Sequence, residues 1–298
     1  MHDNEREIRE IRRVTCAGMA VNIALAAAKA AAGVFCSSQA LVADAVHSLS
    51  DLATDIAVVL GVKYWAAPAD DDHPYGHGKI EALVTLFIAL ALVVVAFELG
   101  SHAVQALMRW DLATPGLPAL WVAIASIVSK ELLFRWTRRT ARAFSSPALE
   151  ANAWHHRSDA LSSIPVAVAV AVAHVVKNAA WLDPAASILV SVFILHVAWE
   201  IMRPALEELV DADIGKKSEE VAAAAKKVEG VVDVHKVRTR RYGAAFAADL
   251  HIHVDPSCSI VKGHAIGHAV KDALTHSGIG VTDAIVHVEP AGKKGEEE

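Results

Sequence analysis

The 298-residue chain is 54% hydrophobic, 21% charged and 6% aromatic, with a formal net charge of −6 at pH 7. This composition excludes a disordered chain, a collagen-like repeat and a small disulfide scaffold. No basic stripe marks a nucleic-acid surface. The charge is uneven: 36 of residues 1–208 are Asp, Glu, Lys or Arg, against 26 of the last 90. Cys16, Cys36 and Cys258 are odd in number and form no C-x-x-C pair, so no disulfide or thiolate-metal framework is suggested. The 16 histidines are many for this length.

The segment His2–Arg13 carries both charge signs densely, which does not read as a secretory signal. It is expected to form a short cytoplasmic helix entering the first membrane segment. Apolar spans then follow at Val14–Phe35, Gln39–Trp65, Ile80–Leu107, Leu117–Trp136, Leu161–Val176 (its helix starting as early as Glu150) and Pro184–Met202. A crossing helix needs about 20 mostly apolar residues. Any one of these spans alone resembles a buried soluble helix, but six in succession predict a polytopic membrane domain over residues 1–208. Lys and Arg crowd the N-terminus, loop 2–3, loop 4–5 and the end of span 6, while the opposite loops hold only Arg109 and Lys177. By that bias both termini face the cytoplasm.

Beyond Pro204 the pattern changes. Ser218–Lys227 and Ile260–Leu274 read as helices; Val231–Tyr242, Phe246–Val254 and Val281–Val288 read as strands. The α-β-β-α-β order predicts a small ferredoxin-like α+β cytoplasmic domain over residues 209–291, with residues 292–298 as a disordered tail.

Charged groups at bilayer depth cost about 2.5–3.5 kcal/mol each on insertion scales, so each needs a reason. Span 2 spaces His47 and Asp51 four residues apart, on one helix face, with Asp44 and Asp55 nearby. His155 and Asp159 repeat that spacing in span 5, beside His156. Two such helices facing each other offer two imidazoles and two carboxylates, the ligand number of tetrahedral Zn²⁺. The competing role is ion pairing for packing, for which Lys29, Lys130 and Arg157 are available. Asp70, His73 and His77 form a second cluster in the Pro- and Gly-shaped loop 2–3. A third, in the soluble domain, comprises His235, His251, His253, His264, His268, His287 and Glu289. His251 and His253 share one strand face, as do His287 and Glu289.

Three stretches carry a family resemblance: Ser38-Gln-Ala-Leu-Val-Ala-Asp44-Ala-Val-His47-Ser-Leu-Ser-Asp51, His73-Pro-Tyr-Gly-His77-Gly-Lys79-Ile-Glu81, and His155-His-Arg-Ser-Asp159-Ala-Leu. With them the chain, over nearly its whole length, resembles the cation diffusion facilitator family of divalent-metal/proton antiporters. The resemblance implies a transport site on His47, Asp51, His155 and Asp159, and a loop site on Asp70, His73 and His77. It further implies C-terminal metal ligands at His235, His251, His264, His287 and Glu289, with His253 and His268 outside the family pattern. A homodimer exchanging cytoplasmic metal for protons is implied, with Zn²⁺ preferred over Fe²⁺, Co²⁺, Cd²⁺ or Mn²⁺ as substrate and regulatory ligand. No catalytic cofactor and no nucleic-acid partner are expected. A membrane metallohydrolase is the rival class, yet it would need an open coordination position and a motif such as H-E-x-x-H, which does not occur. A metal sensor is the third reading, and it would leave six polar-lined spans without a task. The bilayer expected is a bacterial inner membrane.

Overall fold

The structure, a computed structural model, describes residues 2–65, 67–144, 147–213, 216–242 and 245–292. The side chain of Asp55 and the tail from residue 293 onward lie outside the described residues. The chain forms two compact units, Met1–Val59 with Ile88–Glu200 and Leu60–Phe87 with Ile201–Glu298.

The helices in chain order are α1 (His2–Phe35), α2 (Gln39–Trp65), α3 (Lys79–Arg109), α4 (Leu117–Ala143), α5 (Pro147–Ser162), α6 (Ile164–Val175) and α7 (Leu182–Leu209). The charged N-terminal segment and the first span form one continuous helix. Among the described residues, five stretches are long and apolar enough to cross a membrane: Arg12–Phe35, Lys79–Arg109, Leu117–Ala143, Asn152–Val175 and Leu182–Leu209. The 27-residue α2, which carries Asp44 and Asp51, is of matching length.

Three expected boundaries are corrected. The fourth span continues past Trp136 to Ala143, because its last turns are amphipathic and arginine-bearing. The fifth begins at Pro147, so the polar His/Asp segment is helical throughout. It breaks briefly at Ser163, where Pro165 has no N–H to donate and its ring crowds the carbonyl four residues back. The sixth helix runs through Pro204 to Leu209; a single proline removes one helical hydrogen bond without ending the helix.

Small residues line the interior of the first unit: Ala26, Ala40, Ala43, Ala96, Ala103 and Ala123 are all at most 1% exposed. Such residues let helix backbones approach closely. Large apolar side chains point outward instead, among them Leu90, Val94 and Phe97 of α3 and Trp121, Ile124 and Val128 of α4. An outward apolar face of this extent suits lipid and not water.

In the second unit, α8 (Lys217–Ala225), β1 (Asp233–Tyr242), β2 (Ala245–Val254), α9 (Ile260–His276) and β3 (Val281–Pro290) follow the α-β-β-α-β order. The sheet order is β1-β2-β3, antiparallel between β1 and β2 and parallel between β2 and β3. Alternate residues of β2, namely Leu250, Ile252 and Val254, pack with Val221 of α8 and Ile266, Val270 and Leu274 of α9. Both helices therefore serve one core, and period-two alternation leaves the odd-numbered β2 residues on the opposite face.

Gly33 marks where α1 and α2 close on each other. A Cβ built there would stand 2.7 Å from Val42 Cγ2 and 2.8 Å from the Val42 backbone nitrogen. Gly33→Ala is therefore expected to destabilise the detergent-solubilised protein by about 1–3 kcal/mol, the usual cost of overpacking. A lowered midpoint in thermal unfolding of the full-length chain would register this.

Candidate metal centre

In the helical unit, α2 supplies His47 and Asp51 and α5 supplies His155 and Asp159, each pair one turn apart on its helix. His47, Asp51 and Asp159 each present one ligand atom, and the three atoms lie within 4.8 Å of one another. His155 Nε2 stands 3.8 Å from Asp159 Oδ2. With metal–ligand bonds of about 2.0–2.1 Å, the edge of a tetrahedral site is about 3.3 Å, so the His155–Asp159 separation is about half an ångström longer than such an edge. The His47 Nδ1 atom is buried with no hydrogen-bond partner among the described residues. A lone pair left in that way suits a ligand better than a packing group.

Asp159 has a second attachment. Lys130 of α4 places its ammonium 2.6 Å from Asp159 Oδ2, with side-chain exposures of 4% and 7%. One turn further along both helices lies a fully buried network. Lys29 of α1 pairs with Asp44 Oδ2 at 2.9 Å and donates to Ser48 Oγ and Ser163 Oγ, each at 3.1 Å. Ser163 Oγ donates in turn to Asp44 Oδ1 at 3.0 Å. Asp44 is thereby a packing carboxylate. Arg157 pairs with neither aspartate; its guanidinium lies over the rings of Phe134 and Trp154, 4.7 and 5.7 Å from their centroids. His156 faces away from the quartet toward α1, where a Cβ on Gly18 would meet its Nε2 at 3.2 Å. Both of its ring nitrogens are buried and lack a hydrogen-bond partner among the described residues.

In the second unit, loop 2–3 folds back through a turn closed by Gly76 N–H donating to the His73 carbonyl at 2.7 Å. Pro74 and the positive φ of Gly76 (81°) suit that turn. It brings Asp70, His73 and His77 together, with ligand atoms within 4.8 Å. Asp70 accepts the His73 backbone N–H at 2.7 Å. That bond, reinforced by the His73 and His77 rings, holds the Asp70 carboxyl below its ordinary range.

The open face of the sheet gathers the third cluster through strand register. His235, His251 and His287 are successive partners across β1, β2 and β3; one step along, His253 is opposite Glu289. A bulge after His235, with Lys236 at φ 49°, locally shifts β1. The Glu289 carboxylate stands between two imidazole pairs. Its Oε1 is 2.8 Å from His251 Nδ1 and 3.4 Å from His287 Nε2. Its Oε2 is 3.2 Å from His235 Nε2 and 3.5 Å from His253 Nε2. The hydrogen bond from His251, followed by the charge of the neighbouring imidazoles, depresses the Glu289 carboxyl. It therefore stays ionised into more acidic solution than an ordinary glutamate. The arrangement is two three-ligand sets sharing one carboxylate.

His264 is not drawn into either set. It is exposed on α9, with its ring 4.5 Å from that of His268. His253, outside the family pattern, is drawn in, and its shared strand face with His251 was the signal for it. Lys130 is among the cations the sequence offers for ion pairing, beside Lys29 and Arg157, but no local spacing assigns it to Asp159.

Apolar-faced helices of this length make the chain a multi-pass integral membrane protein. The family model for the cation efflux transmembrane domain matches residues 16–210, and that for the cation efflux protein cytoplasmic domain matches residues 215–291. The chain belongs to the cation efflux (cation diffusion facilitator) family, a family of metal-cation transporters. Metal tolerance protein C1 of Arabidopsis thaliana is 35% identical over 290 residues, covering 92% of this chain. The chain spans 61% of that relative's length. Magnetosome protein MamM of Magnetospirillum gryphiswaldense is 34% identical over 265 residues, 88% of this chain and 83% of its own. Manganese efflux system protein MneP of Bacillus subtilis is 27% identical over 94% of this chain and 96% of its own. Among solved structures, the MamM C-terminal domain is similar at 30% identity and TM-score 0.24, over 24% of this chain and 92% of that one.

Because both imidazole pairs address one carboxylate, Glu289→Gln should weaken metal binding by all four histidines together. The full-length variant is expected to bind fewer Zn²⁺ ions by calorimetry while still binding at the helical site. Protons compete with metal for imidazole nitrogen, so affinity at this cluster should fall steadily as pH is lowered from about 7.5 to about 5.5.

Proposed function

We propose that the chain exports divalent transition-metal cations, Zn²⁺ foremost, from the cytoplasm in exchange for protons. The observation that carries this reading is the convergence of His47, Asp51 and Asp159 within 4.8 Å inside an apolar helical unit. His155 completes the set, one turn from Asp159. Two neutral imidazoles and two carboxylates make an N₂O₂ donor set, which suits Zn²⁺ among the common divalent cations. Manganese is the alternative cargo, supported by the likeness to a manganese efflux protein.

The exchange follows from the ligands. A cation binds only deprotonated imidazole and ionised carboxylate, so its arrival releases protons and their return expels it. Imidazole titrates in the physiological range, which lets His47 and His155 serve as ligands and as proton carriers. Net movement requires that the inward- and outward-facing states differ in metal affinity, since equal affinity shifts no population. The Lys/Arg bias of the loops supports cytoplasmic termini and uptake from that side. We place the protein in a bacterial inner membrane, as a homodimer, in keeping with the family match of its C-terminal domain. Metal on the Glu289 cluster and on Asp70, His73 and His77 would then act as a regulatory ligand.

Proteoliposomes test this directly. With the cytoplasmic face outward, acid-inside vesicles of wild-type protein should accumulate Zn²⁺, and collapsing the gradient should stop uptake. Loss of partners that merely orient a ligand costs 10–100-fold, so His47→Ala, Asp51→Ala and Asp159→Ala should each cost at least about tenfold in rate. Uptake at the wild-type rate by His47→Ala or Asp159→Ala vesicles would place transport elsewhere. Competition by Fe²⁺, Co²⁺, Cd²⁺ and Mn²⁺ in the same preparation ranks the cargo.

A further inference from the structure

The two buried lysines of the helical unit are held in different ways. Lys29 is 1% exposed and engages three groups, Asp44, Ser48 and Ser163. Its ammonium is thus tied by two hydroxyl acceptors and one ion pair. Lys130 is equally deep at 3% exposed, yet among the described residues its ammonium has one partner, Asp159 Oδ2 at 2.6 Å. That same aspartate contributes to the His47, Asp51 and Asp159 set. One carboxylate thus serves the candidate ligand set and a tethered cation at once.

We propose that Lys130 is a built-in competitor of the transported ion. It holds Asp159 while the site is empty and is displaced from it by the arriving cation. The inference rests on the quartet being the transport site. The charge count supports it. Two ionised aspartates and one ammonium leave the empty site at one net negative charge. A divalent ion turns that to one net positive charge, whereas without Lys130 the loaded site would be neutral. Like charges a few ångströms apart in a low-dielectric interior repel strongly. Lys130 therefore weakens metal binding. It also shields a carboxylate that would otherwise be buried without a counter-charge when the ion leaves. The consequence is an ion that is bound less tightly and released faster, with an empty site that remains compatible with the membrane interior. Lys130 acts as a positioning residue on Asp159 and need not touch the cargo.

The test is Lys130→Met in full-length protein, read as proton-driven Zn²⁺ uptake into proteoliposomes, which reports the helical site and not the cytoplasmic clusters. The expected result is a split. Half-saturating Zn²⁺ falls at least tenfold and the maximal rate falls with it, while Lys130→Arg stays near wild type. A purely structural role would instead lower the maximal rate with half-saturation unchanged or raised, and that result overturns the proposal. Should Lys130→Met not fold, Lys130→Gln keeps a hydrogen-bond donor without the charge and carries the same expectation and the same overturning outcome. Failure of the site itself is distinguishable, because it would appear as unimpaired transport in His47→Ala and Asp159→Ala, whatever Lys130 variants do.

Discussion

Carboxylates buried inside an apolar helix unit need partners, and the two that take lysines, Asp44 and Asp159, organise the first unit around ion pairs. Asp44 and Asp159 both sit below 7% exposure, where an unpaired carboxylate would cost several kcal/mol. Each is met by a lysine from a neighbouring helix: α1 for Asp44 and α4 for Asp159. The pairs lie one turn apart along α2 and α5, joined through Ser163. Breaking such a pair by removing one partner costs about 3–5 kcal/mol. Helices 1, 2, 4 and 5 are thereby bound by charge as well as by close alanine packing. The polar groups that make a cation site possible are the same ones that fix the helices around it.

The C-terminal domain meets the opposite problem, because its ligands stand in water and need no counter-charge to be tolerated. What they need is convergence. A three-stranded sheet supplies it through register: one row carries His235, His251 and His287, and the next brings His253 opposite Glu289. The apolar face of the same strands is committed to α8 and α9. A slip of one residue would exchange the two faces and destroy core and cluster together. Strong specification of the core therefore specifies the cluster as well.

Much of this was legible in the chain itself. The α-β-β-α-β order follows from two periodicities that do not overlap, and the helical membrane unit follows from hydropathy. His47 with Asp51 and His155 with Asp159 are visible because i, i+4 spacing is local. Long-range pairing was not legible. Lys130 and Asp159 are 29 residues apart on different helices, and no local rule selects Lys130 over Arg157, which lies on α5 two residues from Asp159. Aromatic faces decided it, since Phe134 and Trp154 engage the Arg157 guanidinium. The extent of α5 was likewise obscured. Its first turns are polar, so hydropathy starts the span only at Leu161, and the earlier start near Glu150 is needed to take in His155 and Asp159. The position of His264, exposed on α9 and outside both ligand sets, depends on how that helix rotates over the sheet, and spacing does not report it.

The burial of His47, Asp51, His155 and Asp159 is graded. The His155 side chain is 48% exposed, His47 and Asp51 are half-buried, and the Asp159 side chain is 7% exposed. Beyond Asp159 lies Lys130, and one turn on lies the Lys29 network, with no exposed member. Exposure therefore falls from the His155 imidazole to the Asp159 carboxylate within the set. The sealed side is closed by hydrogen bonds and ion pairs and not by apolar packing alone. Polar layers of that kind can part and reform, since water is able to take over each of their bonds when the helices separate. An apolar plug offers no such substitution.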